Sequence, residues 1–140
     1  MWEHEHTADT AVPRAQLWKA LSDIDSWTVW DTSMEAIELD GPFTVGSRVL
    51  MTPAGQDPIE STITEITEGE RYADETTFNG ATLRFTHTLS TPTEGVTRVV
   101  HRLEITGPDA DQLGPELGPM ITEDFPEAMA GLIAHASTLT

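Results

Sequence analysis

The chain has 140 residues, a formal net charge of −17 and no cysteine, which bounds it to one domain (residues 1–140) without disulfides, thiolate metal sites or a cysteine nucleophile. Seven Lys and Arg against 24 Asp and Glu repel phosphate backbones and anionic membranes, so nucleic acid is excluded as a partner and a ligand is neutral, cationic or enclosed. No stretch approaches the roughly 20 apolar residues that membrane insertion needs, the polar, acidic Met1 to His6 is unlike a signal or transit peptide, and the lack of cysteine fits a cytoplasmic protein.

Along the chain, Trp2 to Ala8 alternates large with polar residues and predicts a strand. Pro13 opens a helix, because its fixed φ suits a first turn that needs no N–H. Leu17, Trp18 and Leu21 carry that helix to near Asp23, and Asp25 to Asp31, with Trp27 and Trp30, predicts a short second one. From Ser33 to Thr106 the chain is rich in Thr, Val and Ile. It is punctuated at Gly41-Pro42, Pro53-Ala54-Gly55, Glu68-Gly69, Asn79-Gly80 and Thr93-Glu94-Gly95, a spacing that predicts an antiparallel meander of about six strands. Asn79-Gly80 is the most specific signal, since both residues tolerate the positive φ of a type I′ hairpin.

The end of the chain reads as a helix over about 110 to 137. Leu113, Leu117, Met120, Ile121, Phe125, Ala128, Met129, Leu132 and Ile133 mark one face. Asp109 is positioned as its N-cap. Pro126 inside the pattern predicts a kink or the start of a new segment.

Strand periodicity assigns faces. Ala81, Leu83, Phe85, His87 and Leu89 share one face, and so do Thr97, Val99, His101, Leu103 and Ile105; each is mostly apolar and points to the core. A three-residue loop at Thr93-Glu94-Gly95 would pair Pro92 with Val96, and therefore His87 with His101. A two-residue turn at Asn79-Gly80 pairs Phe78 with Ala81, and therefore Tyr72 with His87. Tyr72, His87 and His101 then form a row across three strands, with Asp74 one layer along, opposite Phe85. His4 and His6 share the parity of Trp2 on the first strand. A lone histidine on an apolar face is usually a hydrogen-bonded core residue; two on adjacent strands, with Tyr72 and Asp74 nearby, make a candidate polar site. No helical His pair or thiolate supports a metal, and no phosphate loop, nucleotide fingerprint or nucleophile elbow supports a cofactor.

Several stretches carry a resemblance: Val12-Pro13-Arg14-Ala15-Gln16-Leu17-Trp18, Ser22-Asp23 to Trp27-Thr28-Val29-Trp30-Asp31, Leu39-Asp40-Gly41-Pro42-Phe43 with Gly46, Thr97-Arg98-Val99, and Ile105-Thr106-Gly107-Pro108. In this order the chain resembles the START-like, or Bet v 1-like, helix-grip superfamily (SRPBCC), whose bacterial members include polyketide cyclase/dehydrase and lipid-transport proteins. The resemblance implies an α+β fold, a curved antiparallel sheet of about seven strands wrapped around a long C-terminal helix, two short helices after the first strand, and a cavity between sheet and helix. Trp27, Trp30, Phe78, Phe85, Leu103, Met120, Phe125 and Met129 are the candidate apolar wall around Tyr72, Asp74, His87 and His101. The leading functional reading is binding or transport of a small apolar or aromatic, polyketide-like or lipid molecule. The alternatives are a cyclase or dehydratase using the cavity His, Tyr and Asp groups as acids and bases, and a protein-interaction module. Nothing in the sequence signals an oligomeric state.

Overall fold

The computed structural model describes residues 1–139. A first strand, β1 (Trp2–Thr10), is followed by helix α1 (Arg14–Ser22), a 3₁₀ turn (Ile24–Ser26) and the short helix α2 (Trp27–Trp30). Six strands come next: β2 (Met34–Asp40), β3 (Arg48–Pro53), β4 (Ile59–Thr67), β5 (Arg71–Phe78), β6 (Ala81–Thr93) and β7 (Val96–Thr106). Two helices close the chain, α3 (Ala110–Thr122) and α4 (Phe125–Ser137). The strands make one antiparallel sheet in the order β1-β7-β6-β5-β4-β3-β2, so the expected α+β architecture with its curved sheet is present.

Local chemistry explains the pairings that matter. Asn79 and Gly80 adopt φ of 50° and 81°, the left-handed pair of a type I′ turn, and Phe78 faces Ala81. The β6–β7 hairpin departs from expectation. Its turn holds two residues, Glu94 and Gly95, because Thr93 rather than Pro92 pairs with Val96. One residue is absorbed by a bulge between Ser90 and Thr93, around a proline that has no N–H for the ladder. Inward of Ser90 the register is the expected one, and His87 faces His101.

The C-terminal helical region is two helices rather than one. Pro126 lies in the first turn of α4 and begins the new segment. Asp109 occupies the N-cap position of α3 but makes no side-chain cap bond. Its backbone, at φ −103° and ψ 11°, is not the extended conformation from which a cap carboxylate reaches the next turn.

The buried stripe of α3 also differs from expectation: it is Ala110, Gly114, Gly118 and Thr122. Trp2 lies across the two glycines. A Cβ added to Gly114 or to Gly118 would stand 2.3 Å from the Trp2 side chain. Met120 faces outward, 68% exposed, because α3 turns its glycine stripe, flanked by Leu113 and Ile121, toward the core.

The core is in two parts. The larger lies under α1, α2 and α4 and includes Leu17, Leu21, Trp27, Tyr72, Leu89, Val99, Met129 and Leu132. The smaller lies under α3 and includes Leu83, Leu103 and Ile105, with Trp2, Phe85 and Phe125 packed on it. Gln16 ties α1 to the end of α4 by donating to the carbonyls of Ala136 (3.0 Å) and Leu139.

Gly118→Ala should therefore displace Trp2 and cost about 1–3 kcal/mol, the usual range for overpacking, despite alanine's better helix propensity. Met120→Ala should stay within about 0.5 kcal/mol. Thermal unfolding followed by circular dichroism measures both; equal melting temperatures for the two variants would refute the packing account.

Candidate functional site

The concave face is built in rows. Across β4, β5, β6, β7 and β1, one row reads Ile66, Tyr72, His87, His101 and His6. The next row reads Ile63, Asp74, Phe85, Leu103 and His4. The expected trio Tyr72–His87–His101 is thus in register, with Asp74 opposite Phe85. On β6 and β7 the histidines separate Leu89 and Val99, in the larger part of the core, from Phe85 and Leu103, in the smaller. The row is a polar seam between two apolar volumes.

The His87 and His101 rings meet edge to face with centroids 4.4 Å apart. Trp27 stands 5.4 Å from His87 and 5.5 Å from Tyr72, held in place by its own Nε1 donating to the Leu21 carbonyl at 3.0 Å. Trp30 packs on Trp27 at 5.6 Å, and Phe125, the first residue of α4, closes on His101 at 6.2 Å. The Tyr72 hydroxyl donates to Asp74 Oδ2 at 2.8 Å. Asp74 is 2% exposed and His101 3%, whereas His87 is partly exposed.

Several polar atoms here have no hydrogen-bond partner among the described residues. Asp74 Oδ1, His87 Nδ1 and His101 Nε2 are buried and unpaired, as are Trp30 Nε1 and Ser61 Oγ. Each such atom costs about 1–3 kcal/mol. Together they weigh against a total folding stability of about 5–15 kcal/mol. Three of them, on Asp74, His87 and His101, belong to adjacent strands of the concave face, and buried groups of this kind are explained by ordered water, a bound species or a functional role.

Burial sets the protonation states. It pushes the Asp74 carboxyl from 3.8 up to about 7; the Tyr72 hydrogen bond opposes this and the Glu75 charge adds to it. The Tyr72 hydroxyl is raised by burial and then by Asp74. Burial pushes His87 from 6.5 down to about 4. His101 is lowered well below 6.5 by burial, then by His87 and His6. Near neutral pH the two imidazoles are uncharged and Asp74 is poised between acid and carboxylate.

Met129, Trp27, Trp30, Phe85, Leu103 and Phe125 pack in the core parts that flank the seam. Phe78 does not join them: at the tip of the β5–β6 hairpin it is 46% exposed, since it precedes the turn and leaves the sheet's covered area. Met120 points away from the site for the reason given above. Phe43, which stacks on Tyr72 at 5.9 Å, and Ser61 were not among the sequence-derived residues. Alternation would have found Ser61, which shares the parity of buried Ile63 on β4; Phe43 sits in a loop and has no periodic signal. His6 faces His101, and His4 is an exposed edge residue packed between Trp2 and Phe125.

Surface depressions lie elsewhere. One of about 130 Å³ is lined by Asp31, Thr32, Ser33, Asp124, Glu127 and Ala128. Another of about 380 Å³ lies over the outer face of the sheet, walled by Arg71, Arg84, Arg102, Glu5, Glu65 and Glu104. Among the described residues no three His, Asp or Glu side chains are grouped to hold a metal ion, and no helix is long and apolar enough to cross a membrane.

The protonation states generate opposing pH effects. The unfolded chain protonates its histidines below 6.5 while folded His87 resists to about 4, so His87 and His101 make stability fall as pH falls through that window. Folded Asp74 keeps its proton up to about 7 whereas the unfolded chain loses it above 3.8, so Asp74 makes stability fall as pH rises. Asp74→Asn should therefore steepen the loss of stability between pH 6.5 and 4 relative to wild type. Urea unfolding of both proteins across that range checks it, the remaining carboxylates cancelling in the difference; parallel curves would refute the assignment.

Comparison with known proteins agrees with this architecture. The NMR structure of a Thermobifida fusca protein superposes with a TM-score of 0.78 at 20% identity, covering 99% of this chain and 95% of that one. A START superfamily protein from Mycobacterium smegmatis gives 0.76 at 12% identity, with 99% of each chain covered. The Zhui aromatase/cyclase from Streptomyces sp. R1128 gives 0.75 at 14% identity, covering 96% of this chain and 92% of that one. At these identities the likeness is one of fold. No curated protein matches the sequence. The sequence profile described as "Polyketide cyclase / dehydrase and lipid transport" matches residues 1–137, and the chain belongs to that family.

Proposed function

We propose that the protein binds a small, mostly apolar molecule at the seam, where Tyr72, Asp74, His87 and His101 hold its polar group and the aromatic residues enclose its body. The observation that carries this reading is the set of buried atoms without partners, Asp74 Oδ1, His87 Nδ1 and His101 Nε2, on neighbouring strands of one face. A ligand that bonds them recovers what folding leaves unsatisfied. Phe125 and Trp27 close on the imidazoles from opposite ends of the row, α4 and α2, so a ligand gains apolar contact as it displaces them.

A second reading has its own support. Asp74, pushed to about 7 and bonded to Tyr72, is tuned for proton transfer at neutral pH, and Tyr72 in turn packs against the unprotonated His87. That is the equipment of a cyclase or dehydratase acting on a carbonyl compound, and one structural neighbour bears the name aromatase/cyclase. The binding reading stands first because the unpaired atoms require a partner, not a reaction.

His101→Phe keeps a planar aromatic ring, though a larger one, and removes one unpaired atom; a thermal melt verifies that the variant is folded. In native mass spectrometry of gently purified protein, and in titrations with an apolar fluorescent probe, this variant should lose the bound molecule or weaken by about tenfold. Unchanged binding with only a shifted melting temperature would assign the histidines to the core.

A further inference from the structure

We propose that the ligand carries a positively charged nitrogen, an ammonium on an aromatic or otherwise apolar body, with Asp74 as its counter-ion. This deepens the binding reading above and rests on it.

The first ground is the placement of charge. The five strand arginines lie outside and are engaged: Arg48 with Glu60, Arg71 with Glu65, Arg84 with Glu65 and Glu75, Arg98 with Asp9, and Arg102 with Glu3, Glu5 and Glu104. Arg14 and Lys19, on α1, are exposed. No lysine or arginine is buried. An anionic ligand at the seam would meet no cation, and burying an unpaired carboxylate or phosphate is among the costliest changes a protein interior can make. The interior instead offers a carboxyl group. Asp74 is 2% exposed and half satisfied: Oδ2 accepts from Tyr72 and Oδ1 from nothing.

The second ground is the kind of hydrogen bond on offer. An ammonium is all donors, up to three N–H bonds and no lone pair. Ionised Asp74 accepts, and each uncharged imidazole contributes one accepting nitrogen. Burial keeps His87 and His101 in that uncharged form, and a cation beside Asp74 draws the carboxyl back to its ionised form. The pair enters the interior neutral overall, which a buried ion pair requires if its attraction is to offset desolvation.

The third ground is the wall. Aromatic rings surround Tyr72, with Phe43 stacked on it and Trp27 set on edge to both it and His87. Aromatic faces attract cations and repel anions. A net charge of −17 acts in the same direction from outside, raising the local concentration of cations.

The test is a matched series on one ring system: tryptamine, the uncharged tryptophol, and the anion indole-3-acetate, titrated by calorimetry at pH 8 into wild type and Asp74→Asn. A smaller series, benzylamine, benzyl alcohol and benzoate, covers the case of an indole too large for the seam. Asparagine keeps an acceptor for the Tyr72 hydroxyl, and a thermal melt verifies that the variant is folded. The expected result is that wild type binds an amine at least about tenfold tighter than its alcohol, with the acid weakest, and that in Asp74→Asn the amine loses this advantage over its alcohol. An alcohol or acid that binds wild type as tightly as the amine, or a preference that survives in Asp74→Asn, overturns the ammonium proposal and leaves the seam as a binding site. No binding by any of the six compounds overturns the ammonium proposal as well; the molecule retained by wild type but not by His101→Phe then speaks for the site separately.

Discussion

The register between β6 and β7 decides what the concave face contains. With His87 opposite His101, the inner face of both strands is apolar except for these rings and Thr97, and the outer face carries Arg84 opposite Glu104 and Arg102 opposite Thr86. A slip of one residue in β6 would turn Arg84 into the core and His87 out to water, and a slip in β7 would do the same to Arg98 and Arg102 and to His101. The exposed ion pairs on the outer face contribute little each. Their main effect is on the alternatives, because any register that buries Arg84 or Arg102 carries the cost of an unpaired interior charge. The proline-containing bulge between Ser90 and Thr93 lets a tight two-residue turn coexist with this pairing.

From that register follows the division of the interior. Leu89 and Val99 on one side of the histidines, and Phe85 and Leu103 on the other, belong to separate apolar groups. The break between α3 and α4 lies over the same boundary, with Phe125 at the start of α4 reaching His101. Each helix covers its own part of the core by different means. α4 buries Met129 and Leu132. It also approaches α2 so closely that a Cβ on Gly131 would stand 2.2 Å from the Trp30 carbonyl oxygen. α3 buries glycine and alanine and receives Trp2 instead. Where the two apolar volumes meet, polar groups are tolerated, and His87 and His101 each keep a nitrogen without a partner there.

The chemistry of the seam comes from burial acting on groups of different kinds. The same loss of water raises Asp74 and Tyr72 and lowers His87 and His101. Four titratable side chains in contact are thereby held close to neutrality, which is how an interior can contain them at all. A buried carboxyl poised near 7 responds to whatever charge a ligand brings.

Much of this was legible in the residues themselves. Alternation of side chains along β5 and β6, with the left-handed preference of Asn79-Gly80, determined that Tyr72 and His87 share a row, because those are local properties of a strand and a tight turn; His101 joined them as expected only because the one-residue bulge between Ser90 and Thr93 offsets a turn one residue shorter than the loop expected at Thr93-Glu94-Gly95. The order of elements determined the architecture, and Pro126 determined that the C-terminal helical region would not run uninterrupted. Other features belong to the tertiary structure alone. Gly114 and Gly118 carry no hydrophobic signal, so the buried stripe of α3 appears only when Trp2 is laid across it. Phe43 reaches Tyr72 from a loop far along the chain. Above all, whether a buried nitrogen or oxygen finds a partner depends on atoms brought together from many strands. The sequence placed Asp74, His87 and His101 on one face; only the packed structure decided that an atom of each would be left without a hydrogen bond.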